Sequence, residues 1–515
     1  MSTFKDPQKL HILHNPPSEP PTLGALNINS KARDEALDFL ENHRDESRAA
    51  LAFDEAYMAQ LKWKIDWRFL PLGFVVITFN IIDKVLLNYG NVMGLSQDLY
   101  LKGNDFTNAS TSFYIANAVF AVFNVFLLQR LPVAKWLAAS LGIWSIATCC
   151  TAAVHDYRGL LAVRIIAGAI ESTVPPALML LTAQWYTRSE QASRYSLWFL
   201  GTGLGQTIGG FVSWAFQHVS KTAPLAGWRI MFLTLGLCTF VFALVLLLLL
   251  PDTPMQARFL MNQEKVALIE HVKVNQTGIE GKIFIPQQLI EAVLDVQIWI
   301  FFVAFMLGGT GSGAITVYSS TLLTHLGYSS KRSALLLMAT GPMTIIGSLF
   351  TGYGVRYFGN RWAFINIVMI IAVLGAALLA FPRGDQSACG FAGILLADIL
   401  IGQTPVIYQW LQANVAGHTK RAYSAAMLQV AFALGSIIGP QTFQARDAPN
   451  YKPAKIAFMC FLATEVVLIT MLRIYYGWCN QHRDKRSQPA TADIADAAAF
   501  AGLTDKQNPT FRYVY

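Results

Sequence analysis

Residues 69–90 read FLPLGFVVITFNIIDKVLLNYG, an apolar run interrupted by two adjacent charges, Asp83 and Lys84. A helix rises about 1.5 Å per residue, so this run crosses the roughly 30 Å of hydrocarbon in a bilayer. It predicts a transmembrane helix. Its two ionisable residues are costly in hydrocarbon, which marks them as functional candidates.

The rest of the chain repeats this character. Of 515 residues, 54% are apolar and 14% charged, against about 25% charged in an average soluble chain. That excludes a disordered chain and argues against an ordinary soluble enzyme. Residues 1–68 hold 20 charges, 251–295 hold 10 and 478–515 hold 9. The blocks 69–250 and 296–477 hold 16 and 15, and each is long enough for six spans with short loops. Spans are expected at 69–90, 108–128, 136–154, 159–184, 195–217, 229–250, 297–319, 333–353, 362–381, 388–411, 422–443 and 455–476. The expected fold is an all-α polytopic membrane protein of twelve helices in two six-helix halves.

The expected organisation follows. Residues 1–68 form a cytoplasmic N-terminal tail with an amphipathic helix, since 31–64 alternates charge with Leu37, Leu40, Leu51, Phe53 and Leu61. The halves are 69–250 and 296–477. Residues 251–295 form a cytoplasmic middle loop, and 478–515 a cytoplasmic C-terminal tail, polar and mobile over 484–510. The first 60 residues are polar, so the first span is expected to act as the insertion signal. Lys62, Lys64, Arg68, Arg483, Lys485 and Arg486 tip the basic count toward the tails. Six scattered cysteines show no metal-ligand or disulfide spacing. No cofactor, metal or nucleic acid is expected; the expected partners are protons, a small-molecule substrate and the lipid bilayer. Sequons stand at Asn108 and Asn275.

The halves align on their own residues. Arg130, Lys135 and Trp136 recur as Arg356, Arg361 and Trp362, and Leu204-Gly205-x-x-Ile208-Gly209 recurs as Leu434-Gly435-x-x-Ile438-Gly439. A duplicated six-plus-six bundle places a site between the halves near the midplane. The glycines equally suit close helix packing.

Few charges fall inside the spans: Asp83 and Lys84 in the first, Arg164 and Glu171 in the fourth, Asp398 in the tenth, Glu465 in the twelfth. By rise per residue, Asp83 and Arg164 sit at matched depth, roughly 21 Å from the inner face. They can pair, or merely lock two helices. Glu171 lies two turns further on the same face as Arg164, and this acid–base–acid line suits proton relay. Lys84 points elsewhere on its helix, toward an anionic substrate. Asp398 is either a cavity or a structural residue. Glu465 is expected to be structural or to snorkel at the periphery. Asn80, Gln206, Tyr318, Gln403, Tyr408 and Gln409 are further cavity candidates, each equally able to serve packing.

An ordered set of motifs then accumulates: Lys64-Ile-Asp-Trp-Arg-Phe-Leu-Pro71, Ile82-Asp-Lys84, Leu128-Gln-Arg-Leu-Pro132, Arg164-x-x-x-Gly168-x-x-Glu171 with Pro175, Gly227-Trp-Arg229, Leu250-Pro-Asp-Thr-Pro254 and Asn414-Val-Ala-Gly-His-Thr-Lys-Arg421. Over about residues 60–480 the chain resembles the major facilitator superfamily. More narrowly it resembles the fungal allantoate-permease branch of the anion:cation symporter family. The resemblance implies Asp83 and Glu171 as protonation sites, Lys84 facing the substrate anion and Arg164 holding the acids. The chain departs from the pattern in having Lys84 where many members have Arg, a point charge without the bidentate fork. It also departs at Asn117, Ala121 and Phe123 of the second span and at Val317-Tyr318 of the seventh.

The expected function is secondary active transport: proton-coupled symport of a small organic anion or ureide-like nutrient (allantoate, carboxylate, vitamin or dipeptide class), by a monomer in the plasma membrane. The alternative is a proton-coupled exporter of a drug or secondary metabolite. Such antiporters carry Gly-x-x-x-Gly-Pro-x-x-Gly-Gly in the fifth span; here Gln206 replaces the proline between Gly205 and Gly209, which favours uptake. No catalytic domain or nucleotide loop is present in the sequence.

Overall fold

The computed structural model describes residues 55–219, 223–273, 286–382, 386–448, 450–486, 504–507 and 511–515. The first half comprises α1 (Glu55–Val92), α2 (Asp105–Arg130), α3 (Val133–Thr151), α4 (Tyr157–Glu171, resuming over Val174–Trp185), α5 (Arg188–Phe216) and α6 (Gly227–Leu249). The second comprises α7 (Val296–His325), α8 (Ser330–Leu337, resuming over Thr340–Phe358), α9 (Arg361–Ala380), α10 (Gln386–Asp398, a 3-10 turn over Ile399–Gln403, then Thr404–Asn414), α11 (His418–Gln441) and α12 (Lys452–Arg486). Ten of these spans are long and apolar enough, among the described residues, to cross a membrane. α2 and α5, of 26 and 29 residues, complete the twelve.

The helices outrun the expected spans. α1 is already helical at Glu55 rather than starting near 69, and α12 continues to Arg486 rather than ending near 477. Most of the amphipathic stretch 31–64, and Asn275, lie outside the described residues. The even number of crossings puts the start of α1 and the end of α12 on one face, here the tail face; the other is the distal face.

Local chemistry sets the breaks. Pro175 and Pro176 lack the N–H groups that the carbonyls of Glu171 and Ser172 would accept, so α4 breaks there. Pro405 does the same to Ile401, and the middle of α10 tightens into its 3-10 turn. The fourth span of each half is thus interrupted near its centre. Asp156 caps α4 by accepting from the Gly159 N–H at 2.8 Å, a contribution of about 1 kcal/mol.

The glycine repeat has one packing meaning in both halves. A Cβ on Gly205 would lie 2.8 Å from the Thr78 carbonyl oxygen, so α5 rests on α1. A Cβ on Gly435 or Gly439 would lie 2.1 Å from the carbonyl oxygens of Met306 or Thr310, so α11 rests on α7. Outer surfaces correspond too. Leu237, Val241, Leu244 and Leu248 on α6, and Val467, Met471, Ile474 and Trp478 on α12, are exposed at one identical spacing. Such apolar stripes suit lipid contact.

Each half is fastened at the tail face. In the first, Lys64 pairs with Glu264 at 2.8 Å, Arg194 with Asp66 at 2.9 Å, and Glu190 with Lys62 at 2.6 Å. In the second, the fully buried Lys420 meets Glu291, Asp295 and Asp505 at 2.9, 2.6 and 2.6 Å. Asp505 belongs to the C-terminal tail. Residues 504–507 and 511–515 pack against this face instead of standing free. Val514 exchanges two hydrogen bonds with Asn414, Tyr513 two with Asn480, and the Arg361 N–H donates to the Tyr515 carbonyl at 2.9 Å. Lys135, the repeat partner of Arg361, pairs with Asp252 just after α6. In both halves, then, the turn between second and third spans is held by the segment that follows the sixth.

On the distal side the halves are bonded together. Asn88 donates to Ser319 at 3.2 Å, the Thr107 and Tyr318 hydroxyls lie 2.5 Å apart, and Gln441 donates to Thr111 at 2.9 Å. A Cβ on Gly341 would lie 2.1 Å from the Gly203 carbonyl oxygen, so α5 and α8 touch backbone to backbone.

Candidate functional site

Asn80, Asp83 and Lys84 lie within one turn of α1. Asn80 and Lys84, four apart, share a face, while Asp83 is turned about 100° from Lys84. Arg164 and Glu171, seven apart, line one face of α4. Two cross-helix pairs result. Asp83 Oδ2 lies 3.6 Å from Arg164 Nη1, and Thr148 of α3 donates to Asp83 Oδ1 at 2.7 Å. Lys84 Nζ lies 2.9 Å from Glu171 Oε1, which also accepts from Asn80 Nδ2 at 2.8 Å. Lys84 donates to Asn80 Oδ1 at 3.1 Å.

Lys84 is turned away from Asp83, and the partner it meets there is Glu171. Helical side chains lean toward the N-terminus, so the long lysine reaches back the turn that separates it from Glu171. The acid–base–acid line becomes two separate pairs, and Arg164 holds one acid rather than two. Arg164 Nε and Nη2 and Glu171 Oε2 are buried with no hydrogen-bond partner among the described residues. Unfilled polar groups of this kind cost about 1–3 kcal/mol each.

The α4 break is what exposes this chemistry. Gly168 lets α2 approach so closely that a Cβ there would lie 2.1 Å from the Phe113 carbonyl oxygen. Asn117, one of the second-span departures, donates to the Gly168 carbonyl at 3.2 Å. Asn124 bonds to Ser172 across the break. The kinked segment presents Glu171 and Pro175 to a cleft shared with Lys84, Gln429 and Phe432.

That cleft adjoins a cavity of about 100 Å³ between the halves. Asn80, Lys84, Gln206 and Tyr408 line it. Gln206 also donates to Asp398 Oδ1 at 3.3 Å, and Thr344 of α8 lies 2.8 Å from both Gln206 Oε1 and Asp398 Oδ2. Asp398 is fully buried behind the wall, not on it. Tyr318 belongs to the distal seam, stacked on Phe443, and Gln409 does not line the cavity. Glu465 is not peripheral. It is fully buried, accepts from Gln403 Nε2 at 2.8 Å and sits against Gly308. The twelfth span is outer as a helix, yet one of its faces looks inward.

Sequence reasoning passed over Thr148, Thr344 and Gln429. The first two are ordinary span residues with no distinguishing signal. Gln429 stood as an amide inside an apolar run, the same signal that flagged Gln206.

With this geometry in place, comparison with known proteins is informative. Residues 73–440 match the Major Facilitator Superfamily. An uncharacterized transporter, C417.10 of Schizosaccharomyces pombe, is 32% identical over 87% of this chain and 88% of its own. The thiamine pathway transporter THI73 of Saccharomyces cerevisiae is 33% identical over 96% of each chain. The allantoate permease of the same yeast is 30% identical over 88% of this chain and 86% of its own. Among solved structures, the Escherichia coli xylose transporter XylE in a partially occluded inward-open conformation superposes with a TM-score of 0.61 at 14% identity, covering 79% of this chain and 98% of that one. The fold is therefore shared with proteins of very different sequence, while the fungal relatives share sequence along almost the whole chain. The chain belongs to the Major Facilitator Superfamily, among fungal allantoate-permease-like members, and is a transporter rather than an enzyme.

Proposed function

We propose that this transporter is a proton-coupled symporter of a small organic anion, of the carboxylate, ureide, vitamin or dipeptide class, working by alternating access. One observation carries the reading: Glu171 occupies the ammonium of Lys84 that an anionic substrate needs. A proton on Glu171 cancels its charge and frees Lys84 for the substrate carboxylate. When the proton leaves, Glu171 reclaims Lys84 and the anion is expelled. Proton and anion thus favour each other's binding, and the coupling is reciprocal. Asp83 is the second protonation site; its neutralisation releases Arg164 and loosens α1 from α3 and α4. The tail face is cytosolic, in keeping with its flanking lysines and arginines. The distal closure then corresponds to a state that releases substrate inward. The protein acts as a monomer in the plasma membrane, since one chain supplies both halves of the cavity.

The test is uptake of labelled organic anions, ureides, dipeptides and vitamins by cells expressing the chain, across external pH. Acid-stimulated accumulation is expected, with Glu171→Gln and Asp83→Asn each abolishing the acid stimulation. Proton-driven uptake undiminished in both variants refutes the assignment.

A further inference from the structure

The wall of the cavity narrows the substrate further, and this step rests on the anion reading of Lys84. Lys84 is the charged side chain on that wall among the described residues. An ammonium has three donors. Two are taken by Glu171 and Asn80, and the group stands 6.0 Å from the centre of the Phe432 ring. One cation with one acid to displace suits a single carboxylate, not two.

Away from Lys84 the wall is aromatic and aliphatic. Trp198 and Phe199 of α5 face Phe305 of α7, Tyr408 of α10 and Phe432 of α11. The Trp198 ring is held against Gly73, where a Cβ would lie 2.7 Å from it. Phe305 packs edge-on to Tyr408, with ring centres 5.4 Å apart. The amide-bearing groups nearby are already engaged with one another. Gln206 is bound to Asp398 and Thr344, the Tyr408 hydroxyl donates to Gln429 Oε1 at 3.1 Å, and Asn80 joins Lys84 and Glu171. The remaining wall polarity is uncharged: the Gln429 amide nitrogen, the Trp198 indole N–H, and the hydroxyls of Tyr114, Tyr195, Ser312 and three threonines.

A polyhydroxylated or ureide-rich anion needs many hydrogen bonds and would leave its own groups or those of the wall unpaired, at about 1–3 kcal/mol each. A ring instead gains from every apolar Å² it buries, and aromatic walls favour stacked or edge-on rings. At about 100 Å³ the cavity is smaller than, but of the same order as, the apolar cavities of roughly 150 Å³ that accept benzene. We infer that the substrate is a monocarboxylate carrying one aromatic or comparably apolar ring, its carboxylate on Lys84 and its ring among Trp198, Phe305 and Phe432.

Binding to the purified full-length chain at one fixed pH tests this without any proton gradient. Benzoate, cyclohexanecarboxylate, succinate, gluconate and allantoate are compared by ligand-induced shift of the unfolding temperature and by titration calorimetry. Benzoate and cyclohexanecarboxylate are expected to bind at least tenfold more tightly than the other three. Lys84→Gln should abolish their binding. Phe432→Ala should weaken benzoate about tenfold while Phe432→Leu, which keeps an apolar side chain and guards against misfolding, retains most of it. Tighter binding of gluconate, allantoate or succinate overturns the inference. Acid-stimulated uptake of one of those polar anions would leave proton-coupled symport standing and sink the ring-bearing substrate alone. A chain that binds none of the five loses the ring-bearing monocarboxylate, and the symport reading is then decided by the uptake test alone.

Discussion

The two halves share a packing plan and differ in their buried chemistry. In the first, two acids and two bases form cross-helix pairs between α1 and α4 beside the cavity. In the second, the buried acids Asp398 and Glu465 meet amides and a hydroxyl, with no cation bonded to either among the described residues. The glycines that seat the fifth span on the first recur in the eleventh on the seventh, so duplication preserved the scaffold. The charges did not follow it. One half carries the groups that a substrate or a proton can exchange, and the other supplies uncharged contacts; both contribute to the aromatic wall, through Trp198 and Phe199 on one side and Phe305, Tyr408 and Phe432 on the other. A rocking transporter can divide labour in this way because its site forms only where the halves meet.

The sharpest break of this comparison is the same chemical change made once in each half. Glu171→Gln removes the competitor for Lys84 and should abolish acid stimulation of uptake. Glu465→Gln replaces one hydrogen-bonded neutral-partner contact by another and should leave uptake within about twofold, since no ion pair is broken. Lys84→Gln is more severe than either, stranding a buried carboxylate at about 3–5 kcal/mol, and should eliminate uptake and lower the unfolding temperature. If Glu465→Gln abolishes acid stimulation as Glu171→Gln does, the two halves are chemically equivalent after all.

Packing offers a second contrast of intermediate size. A methyl group on Gly439 collides with a backbone carbonyl 2.1 Å away, whereas one on Gly209 meets the tip of the Val85 side chain at 2.7 Å. A backbone cannot step aside within a packed helix pair, but a side-chain methyl can. Gly439→Ala should therefore cost about 1–3 kcal/mol and Gly209→Ala clearly less, read as unfolding temperatures of the purified variants. Equal losses would mean that the seats of α5 and α11 are equally tight.

How far the sequence reveals this arrangement depends on the reach of each side chain. Depth along a helix is linear in residue number, so Asp83 and Arg164 could be matched from the sequence. Lys84 could not, because its reach back along α1 depends on a long side chain rather than on its backbone position. Glu465 is buried rather than peripheral because a span's place in the bundle says nothing about which of its faces a residue occupies. Glycine spacing exposed the duplication, but Thr344 and Thr148 look like any span threonine until a carboxylate is seen 2.7–2.8 Å away. The docking of the tail was hidden because its anchors, Asn414, Asn480 and Lys420, are dispersed over three elements and paired only by the fold.

The seam at Asp398 is the next step down in size. The Thr344 hydroxyl has one proton and two acceptors at 2.8 Å, so it serves Asp398 or Gln206 but not both at once. Gln206→Leu removes the bond from the first half to this cluster and leaves the Thr344–Asp398 bond intact. A loss of about 1 kcal/mol is expected, with uptake of the transported anion slowed rather than abolished. Abolition of binding would instead make Gln206 a direct substrate contact.

The smallest effect is expected at the tail face of the second half. Lys420 is enclosed by three carboxylates, so no single one carries it. In Asp505→Asn the amide oxygen still accepts from Lys420, and Glu291 and Asp295 remain. What is lost is one charge and the Oδ2 acceptor shared by the Tyr513 hydroxyl at 2.8 Å and Gln297 Nε2 at 3.1 Å. The cost should be near 1 kcal/mol and should appear first as faster proteolysis between residues 486 and 515, before any fall in uptake. Lys420→Met is the opposite case. It leaves the buried Asp295 and Asp505 and the half-buried Glu291 facing one another, with Lys506 beside Asp295 at 3.4 Å, and should destabilise by several times as much. A ratio near one between these variants would mean that the tail, rather than the lysine, organises this corner of the second half.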